Sequence, residues 1–270
     1  MNKKNLFLVL GLWLVGAGLF VRTDTARADN PATRVTLGGV PGERLRYNIH
    51  WMGMPAGKAY MEVRPAREGH YAFVSGVESI GMIRLMYPVK DVLHSEGVKT
   101  SQGLSARYYA KHQQRGDLSR LIEYRFDREW GEALRTQEGE ESISIGGVTP
   151  GVHDMMTGFY ALRACPDLTP GTDVYIPMVD GKKIYQVAAS VGMVERMSTS
   201  LGFYDVMPVT IQIGNSDLFR VQGAIVVWLT RDERRLPIRV ESRLDLKSVS
   251  ADLIAYDDGR GEQREFKDSK

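Results

Sequence analysis

The chain has 270 residues, 35 of them basic and 33 acidic, a formal charge of +2 and a single cysteine, Cys165. With a surplus of only two basic residues, counterion displacement from a nucleic acid has little to drive it, and no nucleic-acid partner is expected. One cysteine excludes an intramolecular disulfide, so stability must come from a buried core, with Cys165 either a buried thiol or a link between two copies.

Residues 1–28 read as a cleavable secretory signal. Lys3 and Lys4 give a basic start, Leu6–Val21 is an uncharged apolar run, and Ala26-Arg27-Ala28 supplies the small residues a signal peptidase accepts, with cleavage after Ala28. A helix over that run spans roughly 24 Å against a hydrocarbon core of ~30 Å, which favours a leader over an anchor and predicts no stable transmembrane segment after cleavage. The cut removes Lys3, Lys4, Arg22, Arg27 and Asp24, and the mature chain carries a formal charge of −1. A periplasmic location is expected.

Residues 29–256 read as one β-rich domain. Leu45, Tyr47, Ile49 and Trp51 alternate with Arg44, Arg46, Asn48 and His50, the period of a strand with one dry face. Gly53-Met54-Pro55-Ala56-Gly57 reads as a turn, with Ala59, Met61 and Val63 on the returning strand and a further strand over Tyr71–Val77. Ile80–Pro88 breaks the pattern: it is apolar without alternation, and Pro88 bars a central strand position. Strands resume over Ser105–His112 and Ser119–Asp127.

Helical spacing is clear only at Val152, Met155, Met156, Phe159 and Leu162, with Thr149 as cap, Pro150 in the first turn and Pro166 as the stop. Beyond it, Val174–Val179 and Lys183–Val191 flank Asp180-Gly181, a strong hairpin signal. Val194–Met197, Tyr204–Ile213, Ala224–Leu229, Ile238–Leu246 and Ser248–Tyr256 read as strands, with Thr230–Arg235 a charged turn and 257–270 a disordered polar tail. The fold class is all-β with one main helix: a curled antiparallel sheet or barrel-like shell, lipoprotein-carrier-like by fold analogy.

A set of stretches in order carries a family resemblance. They are Gly42-Glu43-Arg44-Leu45-Arg46-Tyr47 with Trp51, Ala56-Gly57-Lys58-Ala59, Tyr87-Pro88-Val89-Lys90-Asp91 and Tyr124-Arg125-Phe126-Asp127. The helix Asp154–Arg163, Leu168-Thr169-Pro170-Gly171 and Trp228–Ile238 complete it. Over about Gly42 to Tyr256 the chain resembles the bacterial exported family of unknown function numbered 3108. The resemblance implies a secreted or periplasmic protein with no established activity and carries no catalytic residues. Gly158 departs from the pattern, and a glycine there is expected to loosen the helix by up to about 1 kcal/mol relative to Ala.

Catalytic and metal chemistry finds little support. His50, His70, His94, His112 and His153 lack the spacing of paired ligands, and no nucleophile elbow is present. His153 and Cys165, on one helix, would stand about 18 Å apart. Asp91, Glu123, Asp127, Glu138 and Glu195 are candidate acids for a glycan- or ester-cleaving hydrolase, against the plainer reading of solvated strand acids. No cofactor and no metal are expected.

Binding chemistry is richer. Arg163, on a helix edge with Tyr160, suits either a ligand carboxylate or phosphate, or an internal bond to Asp154 or a carbonyl that docks the helix. Arg231, Arg234 and Arg235 form an anion contact or a solvated hairpin tip. The adaptable apolar side chains of Ile80–Pro88 suit a promiscuous ligand site or a plug. The leading expectation is a non-enzymatic carrier for a lipid or other amphiphile, with Met82, Leu85, Met86, Met156, Phe159 and Tyr160 against the apolar part and Arg163 at the headgroup. An interaction module of the envelope with a protein partner is the alternative.

Overall fold

The computed structural model describes residues 39–65, 69–101, 103–213, 223–244 and 247–265. The leader and its cleavage point lie outside the described residues, as does the end of the polar tail. Strands β1 (Glu43–Trp51), β2 (Met54–Pro65) and β3 (His70–Ser79) lead to a short helix, α1 (Gly81–Met86). There follow β4 (Val89–Thr100), β5 (Gly103–Arg115), β6 (Leu118–Asp127), β7 (Glu132–Gln137), β8 (Ile143–Gly146) and the main helix α2 (Met155–Ala164). The second half holds β9 (Asp173–Asp180), β10 (Lys183–Val191), β11 (Glu195–Thr199), β12 (Gly202–Ile213), β13 (Gly223–Thr230), β14 (Pro237–Leu244), β15 (Lys247–Asp258) and β16 (Gln263–Glu265).

The strands make one antiparallel sheet in the order β8-β7-β6-β5-β4-β3-β2-β1-β15-β14-β13-β12-β10-β9, with β11 added to β12 and β16 to β15. Two meanders are thus joined where β15 pairs with β1 along its whole length. The sheet does not close, but it curls tightly. In a flat sheet β5 and β9, ten ladder steps apart, would be separated by about 48 Å. Instead Lys111 of β5 forms a buried ion pair with Asp180 at the end of β9, and the Tyr124 hydroxyl of β6 donates to the Gly181 carbonyl. The β9 edge is covered as well: the His153 N–H donates to Pro177 O and the Val179 N–H to His153 O.

α2 lies inside the curl and packs on β9, β4 and β5. The inward faces form a core that includes Leu45, Tyr47, Ile49, Phe73, Leu93, Tyr109, Met156 and Tyr160. A second cluster around Leu162, Leu168, Val191, Val209 and Leu229 fills the space under the C-terminal end of α2.

Several expectations need correction. The first turn is only Met52-Gly53, because Trp51 pairs directly with Met54 and β2 begins there. β4 went unrecognised since three of its inward positions are Asp91, Ser95 and Gly97, which erase the apolar alternation. Ile80–Pro88 contains helix α1, too short for a periodic signal. β7 and β8 are further strands, and the tail is ordered at least to Glu265 through the end of β15 and all of β16. The cap of α2 is Asp154, not Thr149: Asp154 Oδ1 accepts from the Met156 and Thr157 N–H groups while the Thr157 hydroxyl accepts from the Asp154 N–H, a capping box. Gly158 does not loosen the helix for nothing. A Cβ there would lie 3.1 Å from Met178 Sδ, so glycine lets α2 approach β9.

Candidate functional site

The seven residues singled out in the sequence fall into two groups at opposite ends of β1. Met156, Phe159, Tyr160 and Arg163 belong to α2, whose C-terminal end reaches Glu43 at the start of β1. Met82, Leu85 and Met86 belong to α1. That helix leaves β3 beside the start of β2, where the Ile80 N–H donates to Ala56 O, close to the β1–β2 hairpin tip. The two ends of β1 lie roughly 26 Å apart at the rise of a strand.

The α2 group is enclosed. Met156, Tyr160 and Arg163 are each at most 2 % exposed, and Phe159 is half-buried. Arg163 makes the internal bond weighed against a ligand contact, but with Glu43 as the carboxylate. Its Nη1 and Nη2 donate to Glu43 Oε1 and Oε2 at 2.7 and 2.8 Å, and it also donates to the carbonyls of Arg235 and Arg234 at 3.0 and 2.9 Å. Burial works against the guanidinium charge, but the Glu43 carboxylate outweighs it and the Arg163 pKa is raised. The Tyr160 hydroxyl donates to the same carboxylate, and its ring stacks 4.4 Å from Phe73. Arg235 in turn donates to the Arg163 and Cys165 carbonyls at the end of α2. Glu43 and Arg163 are 120 positions apart, and only the inward position of Glu43 in the β1 alternation hinted at a pairing.

The α1 group is open. Met82, Leu85 and Met86 are more than half exposed, and only Ile83 turns into the core. Met52 and Met54, more than half exposed, stand at the neighbouring hairpin, and half-exposed Leu118 follows a turn whose Gly116 N–H donates to Pro88 O. Met52 holds a left-handed φ of 50° at the tip, where Asn or Gly is the usual occupant. The sequence showed Ile80–Pro88 as an apolar anomaly but gave no sign that Met52 and Met54 join it.

Two recesses lie on the outer face of the sheet, one of about 680 Å³ with Arg44, Arg46, Arg64, Glu62 and Glu265 on its walls. The second, of about 350 Å³, takes in Lys58, Glu78 and Lys90. Tyr60 lines both, its ring lying over Gly76 on the next strand.

The candidate acids do not converge. Asp91 accepts from Arg115, Glu123 from the Tyr108 hydroxyl, Asp127 from the backbone of its own turn, and Glu195 from the Trp228 indole. Glu138 is exposed on a turn. No group of three or more His, Cys, Asp or Glu able to hold a metal occurs among the described residues. His153 precedes the cap of α2 and Cys165 follows its end, so they stand at opposite ends of the helix. Burial lowers the His153 pKa to about 4, and it raises that of Asp154 to about 6 against its hydrogen bonds from Thr157, Ser95 and Met156. Burial also pushes the Cys165 thiol up. At the 230–235 turn Arg234 pairs with Asp232 and Glu262, so two of its three arginines are engaged internally.

No helix among the described residues is long and apolar enough to cross a membrane. In fold the chain is similar to a beta-barrel-like protein of the DUF1849 domain of unknown function from Brucella abortus. That match has a TM-score of 0.55 and 10% identity, and covers 81% of this chain and 98% of the other. A hypothetical protein, CT021, from Chlamydia trachomatis matches at a TM-score of 0.39 and 8% identity, over 83% of this chain and 90% of its own. No curated protein matches. The model of the DUF3108 family, proteins of unknown function, matches residues 46–254, and the chain belongs to that family.

Proposed function

We propose that the protein is an exported, periplasmic, non-enzymatic binding protein whose α1 end takes up an apolar or amphiphilic ligand such as a lipid. The observation that carries this reading is the set Met52, Met54, Met82, Leu85 and Met86, all more than half exposed at one end of the sheet. Unbranched thioether side chains adapt to ligands of varied shape, and exposed apolar groups gathered in one place are uncommon on a surface that binds nothing. In this reading α2 is the stopper of the shell. Met156, Phe159, Tyr160 and Arg163 would meet the ligand only if α2 left the curl, which would expose the Glu43–Arg163 pair. Export is supported by the leader-like residues 1–28.

Native mass spectrometry of gently extracted protein tests this, together with uptake of a polarity-sensitive apolar dye. A co-purifying amphiphile is expected, with dye uptake reduced at least fivefold in the Met82→Ser/Leu85→Ser/Met86→Ser variant. Bare protein that takes up no dye overturns the reading. An envelope protein on the same surface is the second reading, favoured by the dry packing around Met156 and Tyr160. A pull-down partner lost in that variant, without any lipid, selects it. An intact N-terminus on cytosolic material overturns export.

A further inference from the structure

We propose that Met52, Met54, Met82 and Met86 form a thioether site for a soft monovalent metal ion, Cu(I) by its chemistry. Of the five exposed methionines among the described residues, four stand at this one end and only Met193 stands elsewhere. The others are buried or half-buried in the shell. An apolar ligand needs only apolar surface, which Leu or Ile would supply as well. What four thioethers add is sulfur.

Thioether sulfur is a soft, uncharged donor. It offers little to Mg²⁺, Ca²⁺ or Zn²⁺, which take oxygen, nitrogen or thiolate, whereas it selects Cu(I). Two adjoining elements bring the four methionines to one end of the sheet. Met82 and Met86 are four residues apart on α1, hence on one face. At 100° per residue Arg84 points well away from that face, so its positive charge does not lie between the two sulfurs. Ile83 anchors the helix in the core, and the Ile80–Ala56 hydrogen bond sets its start two residues from Met54. Met52, across the tip, occupies a left-handed conformation that a side chain of its kind rarely holds. In each methionine two rotatable bonds move the sulfur and a third turns its methyl group and lone pairs.

The inference goes beyond the amphiphile reading and stands without it, since the two share a surface but not a chemistry. The test uses the mature protein with ¹³C-labelled methionine methyl groups and Ag(I), the redox-inert analogue of Cu(I). One equivalent is expected to shift the Met52, Met54, Met82 and Met86 methyl resonances together and to leave Met193, Met156 and Met207 in place. Anaerobic competition for Cu(I) against a chelator of known affinity is then made with the variant in which all four are Leu. Leucine preserves volume and apolar surface, so the thermal unfolding midpoint is expected to change little while Cu(I) affinity falls at least a hundredfold. Parallel shifts at Met193, a shift at only one of the four, or unchanged affinity in the leucine variant overturns the site.

Discussion

His153 and Asp154 are neighbours in the chain, both buried, and pull the pH dependence of stability in opposite directions. His153 is held neutral, with its pKa depressed to about 4 from an ordinary 6.5 and its Nδ1 without a partner. Its contribution is present in full above about pH 6.5 and is lost as pH falls toward 4, because the unfolded chain takes up the proton first. Asp154 has a raised pKa of about 6 against 3.8, so the folded state binds the proton first and gains stability as pH falls from about 6 to about 4. Replacing His153 with Gln removes only the first effect. Between pH 7 and pH 4 the difference in unfolding free energy between wild type and variant should move in the variant's favour by on the order of 3 kcal/mol. Denaturant melts across that range measure it, and a constant difference would exclude the assignment. Neither environment is legible locally. The sequence offered Asp154 as an internal partner for Arg163, whereas Ser95, on β4, donates to it across the core.

At the scale of elements, α2 is held by its ends. Its N-terminus is capped by Asp154, and its C-terminus is fixed by Arg163 on Glu43 and by Arg235 on its last carbonyls. A buried pair is weak support when compared with an apolar replacement, but removing one partner strands a charge. Glu43→Gln is therefore expected to cost about 3–5 kcal/mol, and the double replacement Glu43→Leu/Arg163→Met considerably less. Thermal and urea unfolding of both variants check this; equal losses would mean that the charges were not the issue. The helix itself was readable from its apolar spacing, and its start was not. Thr149-Pro150 has the chemistry of a cap, yet the preceding segment pairs with β9 at Met178, so helical geometry begins only after His153. Tertiary pairing overrode a sound local signal.

For the whole molecule, the decisive feature is that an open sheet holds a curl. The buried Lys111–Asp180 pair ties β5 of the first meander to the far end of the second at β9. Burial disfavours the ammonium, but Asp180 outweighs this and the Lys111 pKa is raised. Lys111→Met leaves the Asp180 carboxylate without its counter-charge, and β9–β10 should open ahead of the rest. Hydrogen exchange is expected to speed up at β9 and β10 amides at least tenfold while β1 to β4 stay protected. Uniform acceleration would mean that the sheet unfolds as a unit.

Alternation in β1, the Asp180-Gly181 hairpin and the spacing of α2 were enough to determine a β-rich chain with one main helix, because strand and helix periods are properties of neighbouring residues. The partner of Arg163, the strand identity of β4 and the company that Met82 and Met86 keep at the Met52-Gly53 tip were decided only by tertiary structure. Each depends on groups brought together from distant parts of the chain by the curl, and no local pattern encodes which inward polar residue will find its complement across the core.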